Sequence, residues 1–208
     1  MAVRSTMADL IAAVRLLTND PATPTPLFPD QAYQDALDQT RQDVNYLELA
    51  GRQTINPGGG VVWLDYYAES GGVGIGDWEA DAKLQGYPSF AVLSPITSDY
   101  LVGHWTFDTS VYASGQRPPV YLIGKTYDRY YAAATILKAW LSQMKLQVAD
   151  IRTADQSISY HQRHQAIQDV IGQYLAQARV GQLQMTRSDT PAGLWQRSGA
   201  FDATRTTF

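Results

Sequence analysis

PPVYLIGKTYDRYYAAATILKAW, residues 118–140, is the stretch on which the reading of the fold turns. A Pro-Pro pair enters an apolar strand, Val120-Tyr121-Leu122-Ile123. Gly124-Lys125-Thr126 is expected to turn the chain, with Thr126 as the N-cap of a long helix from Tyr127 to about Ala149. Within it Tyr130, Ala134, Leu137, Leu141, Met144 and Val148 recur at alternating steps of four and three, the seam spacing of helix–helix packing. A polar joint, Thr153-Ala154-Asp155-Gln156-Ser157, leads to a further helix over Ser159 to Val180. There Tyr160, His164, Ile167, Ile171, Tyr174 and Ala178 fall on one line; Ser159 with Gln162 has a capping-box pattern, and Gly181 is a stop. The pair predicts a helical hairpin that packs against something.

Two more helices are predicted upstream. Met7, Leu10, Ile11, Val14 and Leu17 share a face, Ser5 or Thr6 can cap it, and Asn19-Asp20-Pro21 stops it. Tyr33, Leu37, Thr40, Val44 and Leu47 recur at threes and fours, which predicts a helix from Asp30 to about Ala50. Between the two runs a linker with three prolines in six residues, Pro21 to Pro26. From Thr54 to Ile123 the texture changes to short β-type runs: Val61–Tyr67, Phe90–Leu93, Tyr100–Phe107 and Val120–Ile123, separated by Gly, Pro, Ser and Asp.

The expected fold is therefore mainly α. It is a bundle of long antiparallel helices with an inserted small antiparallel β module and an extended C-terminal tail. The expected divisions are 1–53 for the N-terminal helices, 54–125 for the β module, 126–181 for the helical hairpin and 182–208 for the tail. That tail is rich in Thr, Ser, Gln and Arg yet carries Leu194, Trp195, Phe201 and Phe208. Spaced large apolar residues in a polar segment suit a chain that orders on a partner. An unstructured terminus explains the composition equally well.

Composition limits the function classes. The 208 residues carry a formal charge of −4, which argues against a dedicated nucleic-acid binder with a basic stripe. The charged fraction of 17% lies below the usual quarter and hints at surface buried between subunits. There is no cysteine, so disulfides and thiolate metal sites are ruled out. The first twenty residues lack the continuous apolar centre of a signal peptide, and no run of eighteen apolar residues could span a membrane.

The motifs that suggest chemistry are weak. A phosphate loop around Gly124-Lys125-Thr126 would need a glycine where Pro119 stands, and proline has neither the N–H nor the freedom in φ. Gly71 to Gly76 looks like a dinucleotide fingerprint, but no helical stripe follows it and a hairpin tip or long loop fits better. His161 and His164 lie three apart on a helix, without the acidic neighbour that would complete a metal site. Asp65, Glu69, Asp77, Glu79 and Asp81 crowd the β module, where paired carboxylates could serve glycosidase chemistry or simply be solvated loop charges. Trp63, Trp78 and Trp105 could stack on sugars or fill the core of a small sheet. No catalytic residue, cofactor or metal is assigned.

The region from Pro118 to Gly181 resembles the head–tail connector, or adaptor, proteins of long-tailed bacteriophages. The resemblance is carried by Pro118-Pro119-Val120-Tyr121, Gly124-Lys125-Thr126-Tyr127-Asp128, the alanine-rich Tyr131-Ala132-Ala133-Ala134 and the helix through Trp140. The joint Ala154-Asp155-Gln156-Ser157 and the helix holding Arg163, Gln165, Tyr174, Ala176, Gln177 and Arg179 continue it. The joint has Asp155-Gln156 where the family pattern has Asp-Gly. The resemblance, which with the N-terminal helices spans about two thirds of the chain, implies a non-enzymatic virion protein at the neck, made in the host cytoplasm. It implies a homo-oligomeric ring, usually twelvefold, that binds the portal and the next neck or tail protein. DNA would pass through the channel without sequence-specific binding, and no membrane is involved. The C-terminal segment would dock on the portal, with Leu194, Trp195, Phe201 and Phe208 as its anchors. The helix-packing stripe would be Tyr130, Ala134, Leu137, Leu141, Met144 and Val148 against Ile167, Ile171 and Tyr174. A different expectation rests on the β module alone: a carbohydrate-binding or glycan-acting module centred on its aromatics.

Overall fold

The computed structural model describes residues 3–55, 58–70, 72–108, 118–148 and 154–179; side chains at 145–148 and 154–161 lie outside that description. A 3-10 turn, Ser5–Met7, leads into α1 (Ala8–Thr18), followed by α2 (Asp30–Asp38). Ten strands follow: β1 (Gln42–Glu48), β2 (Ala50–Ile55), β3 (Val61–Tyr67), β4 (Glu69–Ser70), β5 (Val73–Gly74), β6 (Lys83–Gly86), β7 (Ala91–Leu93), β8 (Thr97–Asp99), β9 (His104–Thr106) and β10 (Val120–Thr126). The helices α3 (Arg129–Val148) and α4 (Ala154–Gln177) close the described chain. This mixed α/β architecture, with three antiparallel sheets, overturns the expectation of a mainly helical bundle.

The largest departure lies in the helix expected from Asp30 to Ala50. α2 stops at Asp38, where the Thr40 hydroxyl and amide both donate to the Leu37 carbonyl. The chain then becomes β1, antiparallel to β10. Val44 lies opposite Gly124 and Leu47 opposite Leu122, with a bulge between them. A bulge adds a residue and moves the inward position from i+2 to i+3. Both side chains therefore pack on the same core at a spacing of three, the spacing of a helix.

β1 and β2 are consecutive, yet they belong to different sheets. One sheet has the order β1-β10-β6-β7, the other β2-β3-β9-β8. Fully buried Leu49 sits at the corner between them. Residues 42–53, expected among the N-terminal helices, thus start both sheets. The core between the sheets holds Tyr66, Trp78, Leu84, Trp105, Phe107, Val120 and Leu122. Tyr66 meets Phe107 edge-on at 5.6 Å, and Trp78 meets Trp105 at 6.4 Å.

The Gly-rich stretch, Gly71 to Gly76, supplies β5 of the small hairpin β4–β5. Beyond it the backbone of Ile75 presses on the turn before β9. Gly103 has φ +77°, and a Cβ there would stand 2.2 Å from the Ile75 carbonyl oxygen. Gly103→Ala is expected to cost about 3 kcal/mol, since an L side chain would be strained in φ and meet backbone that cannot yield. Urea denaturation of the variant, with an unchanged slope and a lower midpoint, would measure it.

The helical layer is built on α1. Met7, Leu10, Ile11 and Val14 pack with Tyr33, Ala36 and Leu37 of α2 and with Ala132, Ala133 and Ile136 of α3. Asn19 ends α1 in the left-handed conformation, φ 52°. Buried Arg15 then holds the Pro-rich linker: it donates to the Asp20 and Phe28 carbonyls and to Asp30, and its guanidinium lies 4.4 Å from the centre of the Tyr33 ring.

Two local expectations at the β10–α3 joint are also corrected. Gly124 and Thr126 are strand residues, not a turn and a cap. Gly124 is required by close packing, since a Cβ there would lie 2.8 Å from that of Ala82. Thr126 donates to the Gly76 carbonyl at 2.8 Å, and Asp128 caps α3 by accepting from the amides of Tyr130 and Tyr131, both at 3.0 Å. α4 begins at Ala154, which puts Ser159 and Gln162 inside the helix and leaves no capping box.

Candidate functional site: a charge hub at the root of the helical hairpin

The site begins with three residues, Asp77-Trp78-Glu79. Trp78 forms an isolated antiparallel bridge with Thr126, so the segment lies along the end of β10. The Glu79 amide donates to the Lys125 carbonyl, and the Tyr127 amide to the Asp77 carbonyl, each at 2.9 Å. Trp78, bridged to Thr126, and Glu79 after it point to opposite sides, as successive residues of extended chain do. Trp78 enters the core between the sheets, and Asp77 and Glu79 face the helical layer, each only 1% exposed.

Glu79 is the centre of one half. Its two oxygens accept from the Thr6 and Tyr127 hydroxyls, both at 2.6 Å. Arg4 and Lys125 approach it to 3.3 Å each. Arg4 also pairs with Asp38, and Lys125 with Asp81 at 2.9 Å. Burial pushes the Glu79 carboxyl up, but the Thr6 and Tyr127 hydroxyls with the two cations outweigh this and hold it below its ordinary value. Tyr127 is driven well up, by burial and then by its bond to Glu79.

Asp77 is the centre of the other half. Arg179 reaches it at 2.6 Å and Arg129 at 3.5 Å. Its backbone is in the left-handed region, φ 59°, unusual for a residue with a side chain. Burial raises its carboxyl, and the two arginines only partly offset that. Beside it Asp128 uses one oxygen to cap α3 and the other to accept the Arg179 amide. The Asp128 amide in turn donates to Thr40 at 3.0 Å. Chemically the hub is a tie: its two central carboxylates are out of water and face cations and hydroxyls. It joins the N-terminal turn, α2, the segment before β6, the β10–α3 joint and the end of α4.

The residues expected to form the helix-packing stripe fall as follows. Ala134, Leu137, Leu141 and Ile171 make one buried cluster, with Ile167, Tyr174, Trp140 and Val170 against it. The Tyr130 and Tyr174 rings lie 6.0 Å apart, and Met144 is half-buried. The side chains of Val148 and His161 and the tail residues Leu194, Trp195, Phe201 and Phe208 lie outside the description. His164 is half-buried, and its Nε2 has no hydrogen-bond partner among the described residues. No group of three His, Asp or Glu among the described residues could hold a metal ion.

The crowded carboxylates separate. Asp77 and Glu79 are buried, whereas Asp65, Glu69 and Asp81 stay at least partly in water. Trp78 and Trp105 are each 1% exposed and present no ring face to solvent. A different aromatic group is exposed: Tyr46, Tyr87 and Phe90, with Phe90 6.0 Å from each of the other two. Sequence reasoning gave none of the hub's partners its place there: Thr6 was read as a possible helix cap, Lys125 as part of a turn, Tyr127 as the start of a helix, and Asp128 and Arg179 as carriers of a resemblance, while Arg4 and Arg129 were given no role. One local signal existed, the polar–apolar–polar alternation of Asp77-Trp78-Glu79.

No helix among the described residues is long and apolar enough to cross a membrane. Comparison of the chain with protein-family models, curated proteins and solved structures finds no match.

Proposed function

We propose that this chain is a structural subunit of a bacteriophage neck, a ring-forming adaptor between the capsid portal and the next neck or tail protein. The observation that carries the reading is the helical hairpin. α3 and α4 are about 30 and 36 Å long at 1.5 Å per residue. Their shared cluster is drawn entirely from the two helices themselves, and the root of the arm is tied to the body by the charge hub. α4 returns to that root, where Arg179 meets Asp77 and Asp128, so the polar segment with its spaced Leu194, Trp195, Phe201 and Phe208 follows directly on the braced body. A closed ring repeats one head-to-tail contact, so each copy needs two different complementary surfaces. Exposed apolar side chains occur on separate elements, Leu16 and Leu27 near the helices and Tyr87, Phe90 and Val92 by the first sheet.

Deleting residues after Gln184 is expected to leave melting unchanged and to weaken binding to the portal ring from the same genome more than about a hundredfold. Each large apolar anchor contributes roughly 1.5–3 kcal/mol, multiplied by avidity around a ring. Sedimentation of the truncated protein with portal tests this, and undiminished binding refutes it.

A second reading, a carbohydrate-binding module, is favoured by the exposed Tyr46, Tyr87 and Phe90 rings. A glycan array probed with wild-type protein and Phe90→Ala distinguishes it, since the adaptor reading expects no signal from either.

A further inference from the structure

We propose that the Asp77–Arg179–Asp128 clasp is a positioning device: it fixes where and in which direction residues 180–208 leave the body. The end of a helix ordinarily frays, because its last carbonyls have no partners within the helix. Here the chain is held two residues beyond Gln177, the end of α4. The Arg179 amide donates to Asp128, its guanidinium donates to Asp77 at 2.6 Å, and the same nitrogen lies 3.5 Å from the Tyr127 carbonyl oxygen.

None of these contacts serves the hairpin's own seam, which runs through Ala134, Leu137, Leu141 and Ile171. They are also costly. Asp77 is withdrawn from water and held at φ 59°, and a buried charge is tolerated only with partners in place. Arg179 could have remained at the surface with no such expense. The expense does secure a common reference point, since Asp128 caps the start of α3 with one oxygen and holds the exit of α4 with the other. Both ends of the arm are thereby registered on one carboxylate. A segment launched from a fixed point loses less freedom on docking than one launched from a frayed helix end.

The partner in this inference rests on the adaptor reading, whereas the clasp itself does not. The test uses full-length wild type, Arg179→Gln and Asp77→Asn. It combines hydrogen exchange with binding to the portal ring from the same genome. In Arg179→Gln, amide exchange over residues 172–179 is expected to quicken by about ten- to a hundredfold, the loss of a charge-assisted hydrogen bond, with residues 132–141 unchanged. Portal affinity is expected to fall about tenfold, as a loss of preorganisation. Unchanged exchange at 172–179 overturns the clasp. Faster exchange with unchanged portal affinity overturns its positioning role. A folded wild type that never binds portal sinks the adaptor reading, and exchange then still decides whether the clasp exists. Arg179 is a quarter exposed, so its variant decides the matter even if Asp77→Asn fails to fold.

Discussion

Trp78→Ala is expected to destabilise the protein by about 3–5 kcal/mol, the usual cost of truncating a buried tryptophan. The ring is 1% exposed between the sheets, stands against Trp105, and donates from Nε1 to the Ile75 carbonyl at 2.8 Å. Alanine would leave a cavity that these neighbours cannot close, and would leave that carbonyl without its donor. Trp78 also directs Asp77 and Glu79 to the opposite side, so the loss would reach the hub. A melting temperature lowered by roughly 10 °C is the expected reading. A shift of a degree or two would mean that the core between the sheets is not organised around this residue.

Glu79→Ala is expected to cost about 3 kcal/mol, the lower end for breaking a buried pair. It would deprive Thr6, Tyr127, Arg4 and Lys125 of a common acceptor. Arg4 is about a third and Lys125 about a quarter exposed, so both can regain water, which keeps the cost from rising further. The same group gives the protein an acid dependence. The carboxyl of Glu79 is depressed below its ordinary value of 4.5, so the folded state binds its proton more weakly than the unfolded state. Its contribution is therefore fully present above pH 4.5 and lost as pH falls through the lower folded value. Buried Asp20 acts in the same direction: burial raises it, but the Tyr33 hydroxyl, the Leu27 and Phe28 amides and Arg15 outweigh that. Asp77 acts oppositely, because burial leaves its carboxyl raised and protonation relieves the folded state. Denaturant midpoints between pH 3 and 6 should fall on acidification in wild type and fall less steeply in Glu79→Ala. Parallel curves would remove Glu79 from the account.

What could be read in the sequence was what lies within one element. Of the stripe Met7, Leu10, Ile11, Val14 and Leu17, the middle three are buried in α1, Met7 is buried just ahead of it and Leu17 is half-buried, and Val61–Tyr67 is β3 with the same bounds. The passage from Asp30 to Ala50 misled because a bulge at β1 imitates helical spacing, and a periodicity of side chains cannot tell the two apart. Thr126 was a plausible cap on composition, but its hydroxyl is engaged by Gly76, fifty residues away, and Asp128 takes the role. The hub was hidden for the same reason. Thr6 and Glu79 are 73 residues apart, Asp77 and Arg179 are 102 apart, and no local pattern records such meetings. A row of acidic residues in a loop-rich stretch shows only charge; the antiparallel bridge of Trp78 to Thr126 determines which of them are taken out of water.

Whether this body, arm and tail form the proposed adaptor is decided by electron microscopy of the purified protein mixed with the portal ring from the same genome. The account predicts a ring of this chain stacked coaxially on the narrow end of the portal, with the C-terminal segments seated in portal clefts. Folded protein that leaves the portal bare at micromolar concentrations would contradict it.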